Sequence, residues 1–160
     1  MDDSQLKLAN QICFPIYSTS RLITKVYKPF LEKMGLTYPQ YLVLMVLWEE
    51  DGLSINKITE RLMLNTNTLS PLIKRMEKMQ LLNRMRATKD ERIVLVRLTE
   101  KGKQLKSEAK PIPEKMLGEL LTENIELADI LRLKEMLDKG IKVLSNKTKG
   151  MTDINFNEPL

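Results

Sequence analysis

Between Thr66 and Leu98 the spacing of apolar residues changes period once, and that change restricts the local fold to few arrangements. From Thr66 to Gln80, Leu69, Leu72, Ile73, Met76 and Met79 recur at steps of three and four, which places them on one face of a helix. Asn67, Ser70, Lys74 and Lys78 then share the opposite face. Thr66 and Asn67 carry N-cap side chains, and Pro71 cannot donate an intrahelical hydrogen bond, so the helix is expected to begin within a few residues of it. Leu81–Arg86 and Arg92–Leu98 instead alternate in the strand manner, with Ile93, Val94, Leu95 and Val96 supplying bulk and residues 87–91 a polar tip.

Upstream, Ser54 is placed to cap a short helix with Ile55, Ile58 and Leu62 inward, and Leu64-Asn65 turns into the polar-faced helix. Helix, turn, helix and hairpin follow in the order of a winged helix-turn-helix. Charge agrees. Arg61–Arg92 holds eight Lys/Arg against three acidic residues, a surplus of five that equals the formal net charge of the whole chain. A localised cationic field suits a polyanion. A helix about 10–12 Å across fits the roughly 12 Å major groove of B-DNA, and an arginine-bearing ribbon suits an adjacent narrow minor groove. Arg92, at the base of the tip, is the leading wing candidate, with Asp90 placed to steer it.

Other classes find little support. At 160 residues the chain forms one domain with a sizeable core. It has no apolar run long enough to span a membrane, and its first ten residues lack the basic and apolar blocks of a signal peptide, so a cytoplasmic location is expected. One cysteine and no histidine argue against a disulfide, a metal site or a nucleophile–histidine pair, and no phosphate-binding glycine loop is present. Neither cofactor nor enzyme activity is expected.

Long amphipathic segments flank the cationic unit. Ile12, Ile16, Ile23, Val26 and Phe30 mark a helix over roughly 6–33, with Pro15 implying either a start near residues 12–14 or a kink. Thr37-Tyr38-Pro39-Gln40 opens a second helix through a capping box, ending at Asp51-Gly52. Thr99 caps a helix to Lys110, Pro111 and Pro113 separate it from Glu114–Leu121, and Ile130, Leu133, Leu137, Ile141 and Leu144 mark a last helix within 125–144. These helices have more apolar surface than the small unit can cover. The expectation is a single domain whose segments 5–35 and 99–145 pair two copies, whose segment 36–98 meets DNA, and whose residues 146–160 are a mobile tail.

Cys13 is followed within 28 residues by all four tyrosines. On a continuous helix Tyr17 stands one turn away, but Tyr27, fourteen residues on, lies about 21 Å along the axis and cannot touch Cys13 of its own chain. First helices running antiparallel across a two-fold axis bring Tyr27 and Tyr38 of one protomer to Cys13 of the other. Phenolic donors favour a thiolate, the form that peroxides oxidise.

Segments 11–17 (QICFPIY), 24–29 (TKVYKP), 36–42 (LTYPQYL), 68–77 (TLSPLIKRME) and 90–102, from Asp90-Glu91-Arg92 to Leu98-Thr99-Glu100-Lys101-Gly102, together resemble the MarR transcription factors, and within them the organic hydroperoxide resistance regulators. The resemblance spans roughly residues 5–145. It implies a mainly α dimer with a β-hairpin wing, bound to a pseudo-palindromic operator when reduced and released on oxidation. Cys13 matches the reactive cysteine, Tyr27 and Tyr38 the tyrosines that reach it from the other subunit, Tyr17 a third nearby tyrosine, and Arg92 the wing-tip arginine. A single cysteine implies trapping of the sulfenic acid by a small thiol, or further oxidation. Where the family usually reads Asp-Ser-Gly-Thr, this chain reads Asn65-Thr66-Asn67-Thr68, which bears on operator preference. The expected DNA contacts are Thr66, Asn67, Thr68, Ser70, Lys74 and Arg75 on the helix and Arg84, Arg86, Lys89, Asp90 and Arg92 on the wing. The alternative is a regulator switched by a phenolic or aromatic ligand, with Cys13 merely packed.

Overall fold

The helix between Thr37 and Asp51 is apolar nearly all round, and such a helix must be enclosed by its neighbours. A computed structural model, describing residues 3–88, 90 and 92–148, places it at the centre. Two short 3-10 turns (Asp3–Leu6, Leu8–Asn10) precede α1 (Cys13–Lys33), α2 (Tyr38–Glu49), β1 (Leu53–Ser54), α3 (Ile55–Leu62), α4 (Thr66–Lys78), β2 (Leu82–Arg86), β3 (Val94–Leu98), α5 (Glu100–Ala109), α6 (Ile112–Leu120) and α7 (Leu127–Thr148). Val43, Leu44 and Leu47 of α2 meet Ile58 of α3, Leu69, Ile73 and Met76 of α4, and Leu82 and Val96 of the sheet in one core.

Helix boundaries follow local chemistry. Cys13 opens α1, so Pro15 falls in the first turn, where a missing N–H has no intrahelical partner to lose. At α2 the Thr37 N–H donates to Gln40 Oε1 at 2.8 Å, completing the reciprocal half of a capping box. Ser54 and Thr99 cap α3 and α5 by accepting from the N–H groups of Lys57 and Gly102. The cap of α4 is neither Thr66 nor Asn67 but Asn65, whose Oδ1 accepts the Thr68 N–H at 2.8 Å. Asn65 is the last extended residue, and its carbonyl accepts from Leu69, the first apolar residue of α4 to enter the core. Helix α6 starts at Ile112 rather than Glu114, because Pro111 and Pro113 occupy positions where no N–H is needed. Helix α7 runs to Thr148, past the expected end of the last helix and into the expected tail; residues 149–160 lie outside the described set.

The ribbon is one part of a three-stranded antiparallel sheet in the order β1-β3-β2. Leu53 pairs with Val96, and Leu82 through Arg86 pair with Leu98 back through Val94. Asp51 Oδ1 ties the sheet to the end of α2 by accepting from the Leu98 N–H at 2.9 Å.

One part of the fold has no interior. Helix α7 buries no residue, and α1 buries only Leu31. Ile16, Leu22 and Val26 of α1 and Leu131, Met136, Leu137, Ile141 and Leu144 of α7 are exposed. Among the described residues, no helix is long and apolar enough to cross a membrane.

A close approach fixes the base of the wing. The Trp48 indole N–H donates to the Gly102 carbonyl at 2.9 Å, and a Cβ built on Gly102 lies 2.1 Å from the Leu81 carbonyl oxygen. Alanine would gain about 1 kcal/mol in helix propensity. Displacing backbone costs about 1–3 kcal/mol or more, so the clash dominates. Gly102→Ala is therefore expected to lower the urea midpoint of unfolding; an unchanged or raised midpoint would refute this packing.

Candidate functional site

Helices α3 and α4 are joined through Met63, in the left-handed region at φ 54°, and the Asn65 cap. Since α4 turns Leu69, Leu72, Ile73 and Met76 into the core, its other side shows Thr66, Asn67, Lys74, Arg75 and Lys78, with Ser70 half-buried. Thr68 differs: its backbone N–H is capped by Asn65, and its hydroxyl is buried without a hydrogen-bond partner.

The wing brings further cations to the same side. Asp90 Oδ1 accepts the Arg92 backbone N–H at 3.0 Å, which fixes the backbone from which that exposed guanidinium departs. A groove of about 230 Å³ runs between the start of α3, the start of α4 and the wing, lined by Ser54, Asn56, Thr66, Ser70 and Arg92 together with apolar Ile55, Ile93 and Val94. N–H groups of two helix starts, beside a guanidinium, suit a phosphate oxygen.

Arg61 and Arg84 are held internally. Arg61 reaches Glu49 at 2.6 Å and Glu50 at 3.6 Å. Arg84 donates to Glu77 three times, from its backbone N–H at 3.0 Å, from Nε at 2.8 Å and from Nη2 at 2.7 Å. These bonds hold the Glu77 carboxyl below its ordinary range.

The thiol and the phenols separate along α1. Cys13 is exposed at its first residue, beside exposed Phe14, Ile16 and Tyr17. The Tyr17 hydroxyl accepts from Arg21 Nη1 at 2.8 Å, and the guanidinium sits 5.6 Å from the ring centre. Toward the other end, Tyr27 packs against Tyr38 at 5.0 Å and Tyr41 at 5.9 Å between ring centres. Burial first, then the neighbouring phenols Tyr38 and Tyr41, pushes the Tyr27 hydroxyl up to about 12. Burial raises Tyr38 and Tyr41 as well. All three therefore remain neutral O–H donors at any physiological pH. Beside Tyr38 opens an apolar groove of about 320 Å³, lined also by Thr24, Leu31, Leu36 and Pro39.

Comparison with known proteins agrees with this geometry. A family model described as transcriptional regulator SarA/Rot matches residues 25–109. The organic hydroperoxide resistance transcriptional regulator of Bacillus subtilis is 46% identical over 89% of this chain and 95% of its own. Reduced AbfR of Staphylococcus epidermidis, solved bound to DNA, superposes with a TM-score of 0.72 at 35% identity, over 90% of this chain and 99% of that one. The regulator SlyA shares the fold at a TM-score of 0.79 and 22% identity, over 89% of this chain and 99% of its own.

The chain belongs to the MarR-type winged-helix regulators, in the organic hydroperoxide resistance branch. These relatives are regulators of transcription rather than enzymes. In this MarR-type chain the expected positions fall into three groups. Thr66, Asn67, Ser70, Lys74, Arg75, Arg86, Asp90 and Arg92 share the α4 and wing side, whereas Arg84 is engaged by Glu77 and Lys89 lies outside the described residues. Cys13 and Tyr17 stand at one end of α1, and Tyr27 and Tyr38 gather toward the other. Sequence reasoning missed Asn56 in the groove, Arg21 on Tyr17 and Tyr41 in the phenol cluster. Helical spacing of four from Tyr17 to Arg21 and of three from Tyr38 to Tyr41 was a usable signal; Asn56 carried none.

The phenol cluster makes a titration prediction. Because the folded state raises these acids, their contribution to stability is complete below the ordinary tyrosine range near pH 10. It is lost as pH climbs through about 12 for Tyr27. An absorbance titration of folded protein should show one phenolate forming near pH 12 that is missing in Tyr27→Phe. Complete ionisation of Tyr27, Tyr38 and Tyr41 near pH 10 would show the cluster to be open to water.

Proposed function

We propose that this protein is a dimeric transcriptional repressor that grips operator DNA while Cys13 is reduced and releases it once an organic hydroperoxide has oxidised that thiol. The observation that carries the reading is the separation within α1: the chain's single thiol stands exposed at the first residue, and the neutral phenols Tyr27 and Tyr38 cluster fourteen and more residues later. At 1.5 Å per residue that is about 21 Å, beyond contact within one chain. A second chain packed antiparallel covers the bare apolar faces of α1 and α7 and sets each Cys13 against the partner's phenols. The name and 46% identity of the Bacillus relative support a hydroperoxide as the oxidant.

In this reading segments 5–35 and 99–145 build the dimer and segment 36–98 reads DNA. Two copies of α4 enter successive major grooves of a pseudo-palindromic site, about 34–36 Å apart. Thr66, Asn67, Ser70, Lys74 and Arg75 face the groove and flanking phosphates, and Arg86, Lys89, Asp90 and Arg92 carry the wing to the minor groove. Thr68 contributes through the capped start of α4. The setting is the cytoplasm, which holds both duplex DNA and small thiols.

The redox step balances without a cofactor. The Cys13 thiolate attacks the distal peroxide oxygen, the O–O bond breaks as the S–O bond forms, and the departing alkoxide takes a proton to become an alcohol. Sulfur is oxidised by two electrons to a sulfenic acid, and the peroxide is reduced. A small thiol then condenses with the sulfenic acid, forming a mixed disulfide and releasing water. Bulk at Cys13 displaces the Tyr27 and Tyr38 contacts, and α1 carries that shift to the spacing of the two α4 helices, so both half-sites no longer register together.

Two measurements test this on a duplex enriched by the reduced protein from a random-sequence pool. Cumene hydroperoxide with a small thiol should release wild type and leave Cys13→Ser bound; release of both, or failure to enrich any duplex, contradicts the proposal. Arg92→Ala should weaken binding and reduce the slope of log K against log salt by about 1 if one phosphate contact is lost. An unchanged isotherm would remove Arg92 from the interface.

A further inference from the structure

The Glu77–Arg84 contact ties two elements of the reading unit to each other. It joins the last turn of α4 to β2, the strand that leads out to the wing tip. Strand β2 is an edge of the sheet, so N–H groups on its outer side have no ladder partner. Glu77 Oε1 takes one of these, the Arg84 N–H at 3.0 Å, while Oε2 holds Nε and Nη2 of the same residue at 2.8 and 2.7 Å. Both carboxylate oxygens are thus occupied by one residue, through its backbone and its side chain together.

Further ties lie at the foot of the ribbon. Gln80, at φ 59°, turns the chain out of α4; its carbonyl accepts from Thr99 Oγ1 at 2.6 Å, and the Met79 carbonyl accepts from Lys101 Nζ at 3.0 Å. On its other side the sheet is held by β1, through the Leu53–Val96 pairing, and by the Asp51 bond to the Leu98 N–H. The Glu77–Arg84 tie, two residues into β2, is what fastens the outer edge of the ribbon directly to α4. Electrostatics alone opposes a carboxylate here, since Glu77 lies among the cations of a surface that meets phosphates. Its presence therefore calls for a role other than attraction of DNA.

We propose that Glu77 and Arg84 are positioning residues that set the angle between the recognition helix and the wing, and that Arg84 is not a phosphate contact. The proposal rests on the DNA-binding reading above. With the angle fixed, α4 in the major groove and Arg92 at the minor groove are satisfied by one rigid approach. Without it, each engages only at the other's expense.

The sign of one substitution separates this from a charge effect. Glu77→Gln removes a negative charge from a DNA-facing surface, so electrostatics predicts tighter binding. The positioning role predicts binding weaker by roughly three- to fivefold, the range a partly exposed ion pair supports. Hydroxyl-radical footprints on the enriched duplex should lose wing protection in the minor groove, while guanine N7 interference from α4 in the major groove persists. Neither pattern follows from a mere loss of folded protein, which scales both signals together. Arg84→Met should weaken binding similarly with an unchanged salt slope, and the double variant should be no worse than either single one. Glu77→Gln binding as tightly as wild type or tighter, or a salt slope reduced by about 1 in Arg84→Met, overturns the proposal. Wild type, tested on the same duplex, reports separately on the DNA-binding reading.

Discussion

Apolar surface that one chain cannot cover governs this molecule. Helix α2 satisfies its own apolar girth by lying at the centre of the winged unit, with α3, α4, the sheet, α5 and the end of α1 around it. Helix α7 and the first half of α1 have no such arrangement; Leu131, Met136, Ile141 and Leu144 on one, and Ile16 and Leu22 on the other, face solvent. Each such side chain, about half exposed, forgoes roughly half of the about 1.5–3 kcal/mol that full burial supplies. Exposed apolar faces on two long helices suit association with another chain. The exposed thiol stands beside exposed Phe14, Ile16 and Tyr17 at the start of α1. In the proposed dimer, what covers that end of α1 also decides what surrounds the sulfur.

The same economy connects charge to shape at the other end of the molecule. The cationic surplus of Arg61–Arg92 is not spread evenly over the reading unit, because Arg61 is held by Glu49 and Glu50 and Arg84 by Glu77. Lys74, Arg75 and Lys78 on the exposed side of α4, and Arg92 on the wing, are exposed. A helix start capped by Asn65, a second capped by Ser54 and the exposed Arg92 converge on one groove. Local N-caps, a buried helix face and one ion pair therefore suffice to orient a set of donors that no single element presents.

Much of this was legible in the sequence, for identifiable reasons. Helix α4 and the wing were visible because Leu69, Leu72, Ile73 and Met76 repeat at helical spacing and the next residues alternate. Placement of Tyr27 beyond reach of Cys13 needed only the rise of a helix. Strand β1 was hidden because two residues, Leu53 and Ser54, cannot display a period. The α4 cap was misplaced because Asn65, Thr66 and Asn67 are all competent caps, and the choice is made by where Leu69 enters the core. The Glu77–Arg84 pairing, seven residues apart across a helix end and a strand, appears only when the ribbon has folded back. The extension of α7 to Thr148 depends on polar residues continuing a helix whose apolar stripe has already ended.

The central claim is that each sulfur is served by the phenols of the other subunit. Mixed dimers test it directly, pairing one protomer that carries Cys13→Ser with another that carries Tyr27→Phe and Tyr38→Phe. The only remaining thiol then belongs to the chain without those phenols. If contact crosses the subunit boundary, that thiol forms its sulfenic acid with cumene hydroperoxide at the wild-type rate, read by dimedone labelling. A rate equal to that of the Tyr27→Phe/Tyr38→Phe homodimer, with the homodimer itself slower than wild type, would place the contact within one chain and contradict the account.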